Sequence, residues 1–239
     1  IKKKFWKYLM SIELKKRMIT SVILLASFFF MIRHSYLLLT GLIFFSVIVW
    51  IEFNALMIRI VKPKTRILKF RVLLFKFIAF IYIFYFSYIT TVNLSIDLTH
   101  KAIFLFLLGI CIVSDIGGLI FGKIFKGKKL TKISPNKTYS GSIGSIILST
   151  SSLIFLGLLQ KIFFDENLIN FFQFKYFLIT IFISIICQIG DLYVSFWKRK
   201  INIKNTSNIL PGHGGVLDRI DGLIFVLIFS FMLLKIGFI

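Results

Sequence analysis

Ala102–Phe121, AIFLFLLGICIVSDIGGLIF, is twenty residues long and carries one charge, Asp115. A helix of that length rises about 30 Å, the thickness of a bilayer's hydrocarbon core. A helix packed on a soluble core keeps a broad polar face, which this stretch lacks. It reads as a membrane-spanning helix. Six other apolar runs repeat the pattern: Met18–Ile32, Tyr36–Met57, Val72–Val92, Ile143–Leu159, Tyr176–Trp197 and Leu223–Ile239. The alternating strands of an outer-membrane barrel are absent from the sequence. The expected fold is all-α, a polytopic transmembrane helix bundle of about seven spans with an N-terminal interfacial segment. Composition agrees: 58% of the 239 residues are hydrophobic and mean hydropathy is +0.92, where soluble domains are about half apolar.

Charge sets the orientation. There are 30 Lys and Arg against 9 Asp and Glu, a net charge of +21. On a soluble chain that balance would suggest nucleic acid. Here the cations cluster between apolar runs, so no nucleic acid is expected and anionic membrane lipid is. Residues 1–17, with seven Lys or Arg beside Phe5, Trp6 and Tyr8, read as a basic segment on the cytoplasmic leaflet. With the N-terminus in the cytoplasm, segments 1–17, 58–71, 122–142 and 198–222 hold 24 of the 30 cations, and the opposite loops carry Asp97, Asp165 and Glu166. That is positive-inside. It predicts a multi-pass protein of the inner, cytoplasmic membrane whose functional loops face the cytoplasm. Three regions are expected: the basic segment 1–17, N-terminal transmembrane helices over 18–113, and a catalytic transmembrane region over 114–239. Glu13 and Glu52 are expected to pair with nearby Lys or Arg. Cys111 and Cys187 read as small buried hydrophobes. No cleavable signal peptide is expected, and because the chain opens on Ile1, its native start is expected upstream.

Three segments carry chemistry. In SDIGGLIFGK, Asp115 shares a helix face with Gly118 and Gly122. The face suits either helix packing or approach of a ligand. In the loop KKLTKISPNKT and the following YSGS, Lys137 stands just ahead of a helix N-terminus, which favours phosphate; a solvated basic loop is the plainer reading. The third is Gly190–Gly222, GDLYVSFWKRKINIKNTSNILPGHGGVLDRIDG. Asp191, Ser195 and Lys198 fall on one helix face, and Asp218 and Asp221 are spaced i, i+3 at a helix start. Carboxylates from separate elements suit Mg²⁺, which takes one or two of them plus substrate phosphates. Lys198, Arg199 and Arg219 would balance phosphate charge. His213, between glycines, serves either as a general base or in backbone packing.

SFWKR followed by PGHGGVLDRID resembles the signature of the phosphatidate cytidylyltransferases, and the two upstream segments resemble that family in the same order, from Ser114 onwards. The resemblance implies a polytopic, dimeric enzyme that condenses CTP with phosphatidic acid, with Mg²⁺, to give CDP-diacylglycerol and pyrophosphate. It makes Asp191 and Asp218 the metal-binding aspartates and puts Ser195, Lys198, Arg199, Arg219 and Asp221 on signature positions. The expected machinery is Asp191, Asp218, Asp221, Lys198 and Arg199 at the reacting groups. Asp115, Lys137, Ser195, His213, Gly214, Gly215 and Arg219 are expected against substrate. The chain departs from the family pattern at Asn205, where Asp is usual, at Gly222, where Ser is common, and at Ser140, where Glu is frequent. Two rivals share some features: a CTP-dependent lipid or polyprenol kinase or other cytidylyltransferase, and a non-catalytic lipid-binding or transport protein. The transporter predicts inverted repeats and mid-membrane polar sites, and the sequence offers neither.

Overall fold

A computed structural model describes residues 14–27, 30, 34–60, 66–95, 98–131, 134, 137–164 and 173–235. Residues 14–27 are helical (α1). They are followed by α2 (Ser35–Ile60), α3 (Arg66–Ser95), α4 (Leu98–Phe125), α5 (Tyr139–Phe164), α6 (Phe174–Lys200) and α7 (Leu217–Lys235). Among the described residues there is no strand, only the isolated bridges Lys129–Thr138 and Leu210–Gly214. The fold is an all-α membrane helix bundle.

Among the described residues, five stretches are long and apolar enough to cross a bilayer: Tyr36–Ile60, Arg66–Val92, Ala102–Phe125, Tyr139–Leu158 and Phe174–Lys200. They correspond to the second to sixth runs read from the sequence. Only 22 to 44% of each apolar window is buried by protein, so these helices turn most of their Leu, Ile and Phe outward. Water would penalise that surface; hydrocarbon does not, and a helix satisfies its own backbone there. The first and last expected spans extend beyond the described residues, as do Glu13 and most of the basic segment 1–17.

The chain divides into two compact units, Ile1–Ser87 with Lys200–Arg219, and Tyr88–Arg199 with Ile220–Ile239. In the first, α2 lies along α3. Trp50 meets Phe80 edge-on at 5.6 Å between centroids, Phe53 meets Phe75 at 6.0 Å, and the Ser46 and Ser87 hydroxyls pair.

In the second unit α4 and α5 meet on small residues. A Cβ built on Gly117 would lie 2.8 Å from the Gly144 carbonyl oxygen, and one on Gly144 would lie 2.3 Å from Phe121 Cβ. Small residues at such a seam let two backbones touch, which is how helices gain packing energy where lipid offers no hydrophobic gain. Buried hydroxyls extend the junction: Ser145 Oγ donates to the Ser114 carbonyl at 2.7 Å, and the Ser114 and Ser184 hydroxyls pair at 2.9 Å. The Gly118 and Gly122 face read from the sequence is therefore a packing face. Gly144→Ala should be costly, because Phe121 Cβ is fixed to its own backbone and cannot swing aside. Overpacking of this kind costs about 1–3 kcal/mol. The expected readout is a melting temperature lowered by about 2–4 °C for each kcal/mol in detergent; an unchanged value would contradict the close seam.

Candidate active site

The loop before α5 is tied to itself by Leu130 N donating to Lys137 O (2.8 Å) and Tyr139 N donating to Lys128 O (3.0 Å). Thr138 caps α5: its Oγ1 accepts from Gly141 N at 3.1 Å, satisfying a first-turn N–H that has no partner in the helix. Ser140 Oγ accepts from Gly127 N at 3.3 Å, so the residue that stands where the resemblance expects Glu holds the loop's base. Cap and turn together fix Lys137 just ahead of the helix, as the sequence reading placed it, and its ammonium forms an ion pair with Asp191.

Asp191 stands on α6, with Ser195 and Lys198 further along the same face. The Asp221 carboxyl, in the first turns of α7, lies near enough to Asp191 and Lys198 to interact electrostatically with both. Lys198 is buried at 8% exposure, while Arg199 is exposed. The approach of α7 to α6 here depends on glycine: a Cβ on Gly190 would lie 2.8 Å from the Asp221 carbonyl oxygen, and one on Gly222 would lie 2.6 Å from Cys187 Sγ. Gly222, where the family commonly has Ser, is thus a contact point between helices. Asp115 is exposed on α4. The second unit therefore brings together Lys137, Asp191, Lys198 and Asp221.

The first unit holds the glycine-rich loop. Leu210 N donates to Gly214 O at 2.9 Å and Gly214 N to Leu210 O at 3.0 Å. The turn between them needs φ of +75° at Gly212 and +90° at Gly214, a region open to glycine and strained for most other residues. His213 presents Nδ1 to Thr20 Oγ1 at 2.7 Å and Nε2 to Ser21 Oγ at 3.2 Å. Arg219 Nη2 donates to the His213 carbonyl at 2.8 Å. Asp218 Oδ2 accepts from Thr206 N (2.8 Å) and Gly215 N (3.1 Å), and the Thr206 hydroxyl, 3.1 Å away, shares its one proton between this oxygen and Glu52 Oε2.

Glu52 departs from expectation. Its carboxylate is 2% exposed on α2 and faces hydroxyls and backbone amides rather than Lys or Arg. Oε1 accepts from Ser207 Oγ (2.6 Å) and Val216 N (3.0 Å); Oε2 accepts from Thr206 Oγ1 (3.0 Å) and Leu217 N (2.9 Å). Leu217 opens α7 and Val216 stands just ahead of it, where the N–H groups and the helix dipole favour an anion. A helix start thus stands where a Lys or Arg was expected. The one hint in the sequence was a carboxylate inside the apolar run WIEFNALM; nothing there marked Thr206. A cavity of about 340 Å³ opens beside Glu52, lined also by Arg59, Asn205, Thr206, Ser207 and Asn208.

The residues fit a divalent cation of the hard, oxygen-seeking kind. Two carboxylates as close as Asp191 and Asp221 repel each other unless a proton or cation lies between them. Among the described residues no three His, Cys, Asp or Glu side chains gather into an all-protein cage. Asp191 and Asp221 would supply two of the oxygen donors that Mg²⁺ takes beside water and phosphate.

Residues 6–237 match a family model described as the Cytidylyltransferase family. The chain is 36% identical over 143 residues to a phosphatidate cytidylyltransferase of Rickettsia conorii, covering 59% of this chain and 61% of that protein. It is 40% identical over 134 residues to the Rickettsia felis protein of the same name, 55% of this chain and 58% of the relative. To the Helicobacter pylori one it is 39% identical over 123 residues, 51% of this chain and 42% of the relative. The chain thus matches less than two thirds of the length of these relatives.

Proposed function

Since the chain belongs to the cytidylyltransferase family, we propose that it is an integral membrane enzyme that joins CTP to phosphatidic acid, giving CDP-diacylglycerol and pyrophosphate for phospholipid synthesis. The observation that carries this reading is the meeting of Lys137, Asp191, Lys198 and Asp221, two cations and two carboxylates, in a chain whose relatives bear that enzyme's name. A phosphate oxygen of the lipid attacks the α-phosphorus of CTP. The bond from that phosphorus to the bridging oxygen breaks, and the electron pair leaves with pyrophosphate. The step needs no covalent enzyme intermediate; positioning and charge stabilisation suffice.

Mg²⁺ would neutralise charge on the triphosphate and orient it. The motif resemblance assigns the ion to Asp191 and Asp218, and Asp221, near Asp191, would add a further oxygen donor. Lys137 and Lys198 hold phosphate oxygens, with Arg199 and Arg219 as further cations. The capped start of α5 presents N–H groups next to Lys137, a disposition that favours phosphate. Ser195, the loop His213–Gly215 and Asp115 contact substrate. The protein sits in the inner membrane with these loops toward the cytoplasm, where CTP is found, and works as a homodimer.

The test is pyrophosphate release by purified protein in lipid or detergent. Release is expected to require Mg²⁺, CTP and phosphatidic acid together, with labelled cytidine appearing in the lipid fraction. Release with an isoprenoid phosphate in place of phosphatidic acid, or transfer of the CTP γ-phosphate to a free alcohol with release of CDP, would overturn the substrate assignment.

A further inference from the structure

The Glu52 carboxylate is almost wholly buried and takes no part in the proposed chemistry. Its four donors come from two places, residues 206–207 and the junction of Val216 with the first residue of α7. It therefore joins two ends of one loop. Thr206 connects that anchor to Asp218: its hydroxyl, with a single proton, stands 3.0 Å from Glu52 Oε2 and 3.1 Å from Asp218 Oδ2, and its backbone N–H donates to the same Asp218 oxygen. Gly215 closes the ring. Its N–H donates to Asp218, and its missing side chain leaves the space that Thr206 Oγ1 and Glu52 fill.

We propose that Glu52 is a positioning residue, which acts through Thr206 to hold the Asp218 carboxylate in the orientation that its metal-binding role demands. The inference rests on the metal role given to Asp218 above. Glu52 lies outside the segments that carry the motif resemblance. A carboxylate is required because each of its oxygens accepts from one backbone N–H. A Gln side chain offers one oxygen and one NH₂, so either Val216 or Leu217 would face a donor instead of an acceptor. Partners that orient a metal ligand typically alter metal affinity or activity by about 10–100-fold when replaced.

The experiment compares wild type with Glu52→Gln, Thr206→Val, Thr206→Ser and the double variant Glu52→Gln/Thr206→Val. Two measurements on full-length protein count: the Mg²⁺ concentration for half-maximal pyrophosphate release, and Mn²⁺ affinity by electron paramagnetic resonance. Glu52→Gln and Thr206→Val are each expected to raise that Mg²⁺ concentration and to weaken Mn²⁺ binding, each by about 10–100-fold. Thr206→Ser, which keeps the hydroxyl, should retain more function than Thr206→Val. The double variant should be little worse than either single one, because both break the same chain of contacts. Amide exchange should quicken at residues 215–217 in Glu52→Gln, with α4 and α5 unchanged. A merely structural Glu52 would lower the yield of folded protein and leave Mg²⁺ and Mn²⁺ dependence at wild-type values; that result, or additive effects in the double variant, overturns the proposal. If wild type releases no pyrophosphate from CTP and phosphatidic acid, the substrate reading fails, and Mn²⁺ affinity with amide exchange still decides the role of Glu52.

Discussion

Replacing Asp191 with Asn is expected to lower turnover about 10³-fold or more, since a carboxylate that holds a catalytic metal contributes several kcal/mol and each 1.36 kcal/mol is a factor of ten. The substitution keeps the shape of the side chain and removes the charge that pairs with Lys137 and faces Asp221. Lys137 then loses its partner and Asp221 loses the neighbour with which it would share a cation. Asp191 is partly exposed, at 27% of its side chain, so the fold itself should survive. The check is a rate measurement beside a thermal scan of the same preparation. An inactive protein with wild-type melting is expected, and Asp218→Asn should behave alike. Wild-type turnover by either variant would reject its metal assignment.

Gly215→Ala is the second large effect. A built Cβ would lie 1.9 Å from Thr206 Oγ1 and 2.7 Å from Glu52 Oε2. Carbon and oxygen cannot approach so closely, and neither neighbour is free to leave: Thr206 is held by its own N–H to Asp218, and Glu52 by the amides of Val216 and Leu217. One added methyl group therefore forces the loop off α2 and turns Asp218. Activity should fall about 100-fold, by the measure that a 1 Å misplacement of a reacting group costs about that much. Gly109→Ala supplies the contrast. Nothing lies within 4 Å of its built Cβ, and alanine is the better helix former by about 0.5–1 kcal/mol, so that variant should keep full activity and melt no lower. Equal rates for the two variants would show that the Gly215 contact has no hold on the site.

Hydropathy showed where α2 to α6 run, because spanning a bilayer imposes a length and a composition that periodic reading detects. The α5 start was legible in part: Lys137 was read as standing just ahead of a helix, and α5 begins at Tyr139, four residues before the apolar run itself. Asp191, Asp218, Asp221, Lys137 and Lys198 stood out because ionised groups seldom lie beside apolar runs without cause. Glu52 failed the same reasoning. Its expected partners were cations near in sequence, and its actual ones are four donors more than 150 residues away. Two of them are backbone amides, which every residue but proline owns and no sequence pattern marks. Asn205 illustrates the converse. Its place in the motif drew notice as a departure, and the structure gives it a packing role against Gly214, whose built Cβ would lie 3.0 Å from the amide carbon.

The α4–α5 crossing is made by glycine main chain, hydroxyls and the Phe121 and Leu148 side chains, while Leu119, Ile120, Ile143 and Ile147 point away from it at 44 to 63% exposure. Those outward positions can drift from one hydrocarbon side chain to another as a host alters the thickness or fluidity of its bilayer, and the crossing does not feel the exchange. Adaptation to a new lipid mixture and preservation of the reaction centre are thereby assigned to different atoms of the same two helices.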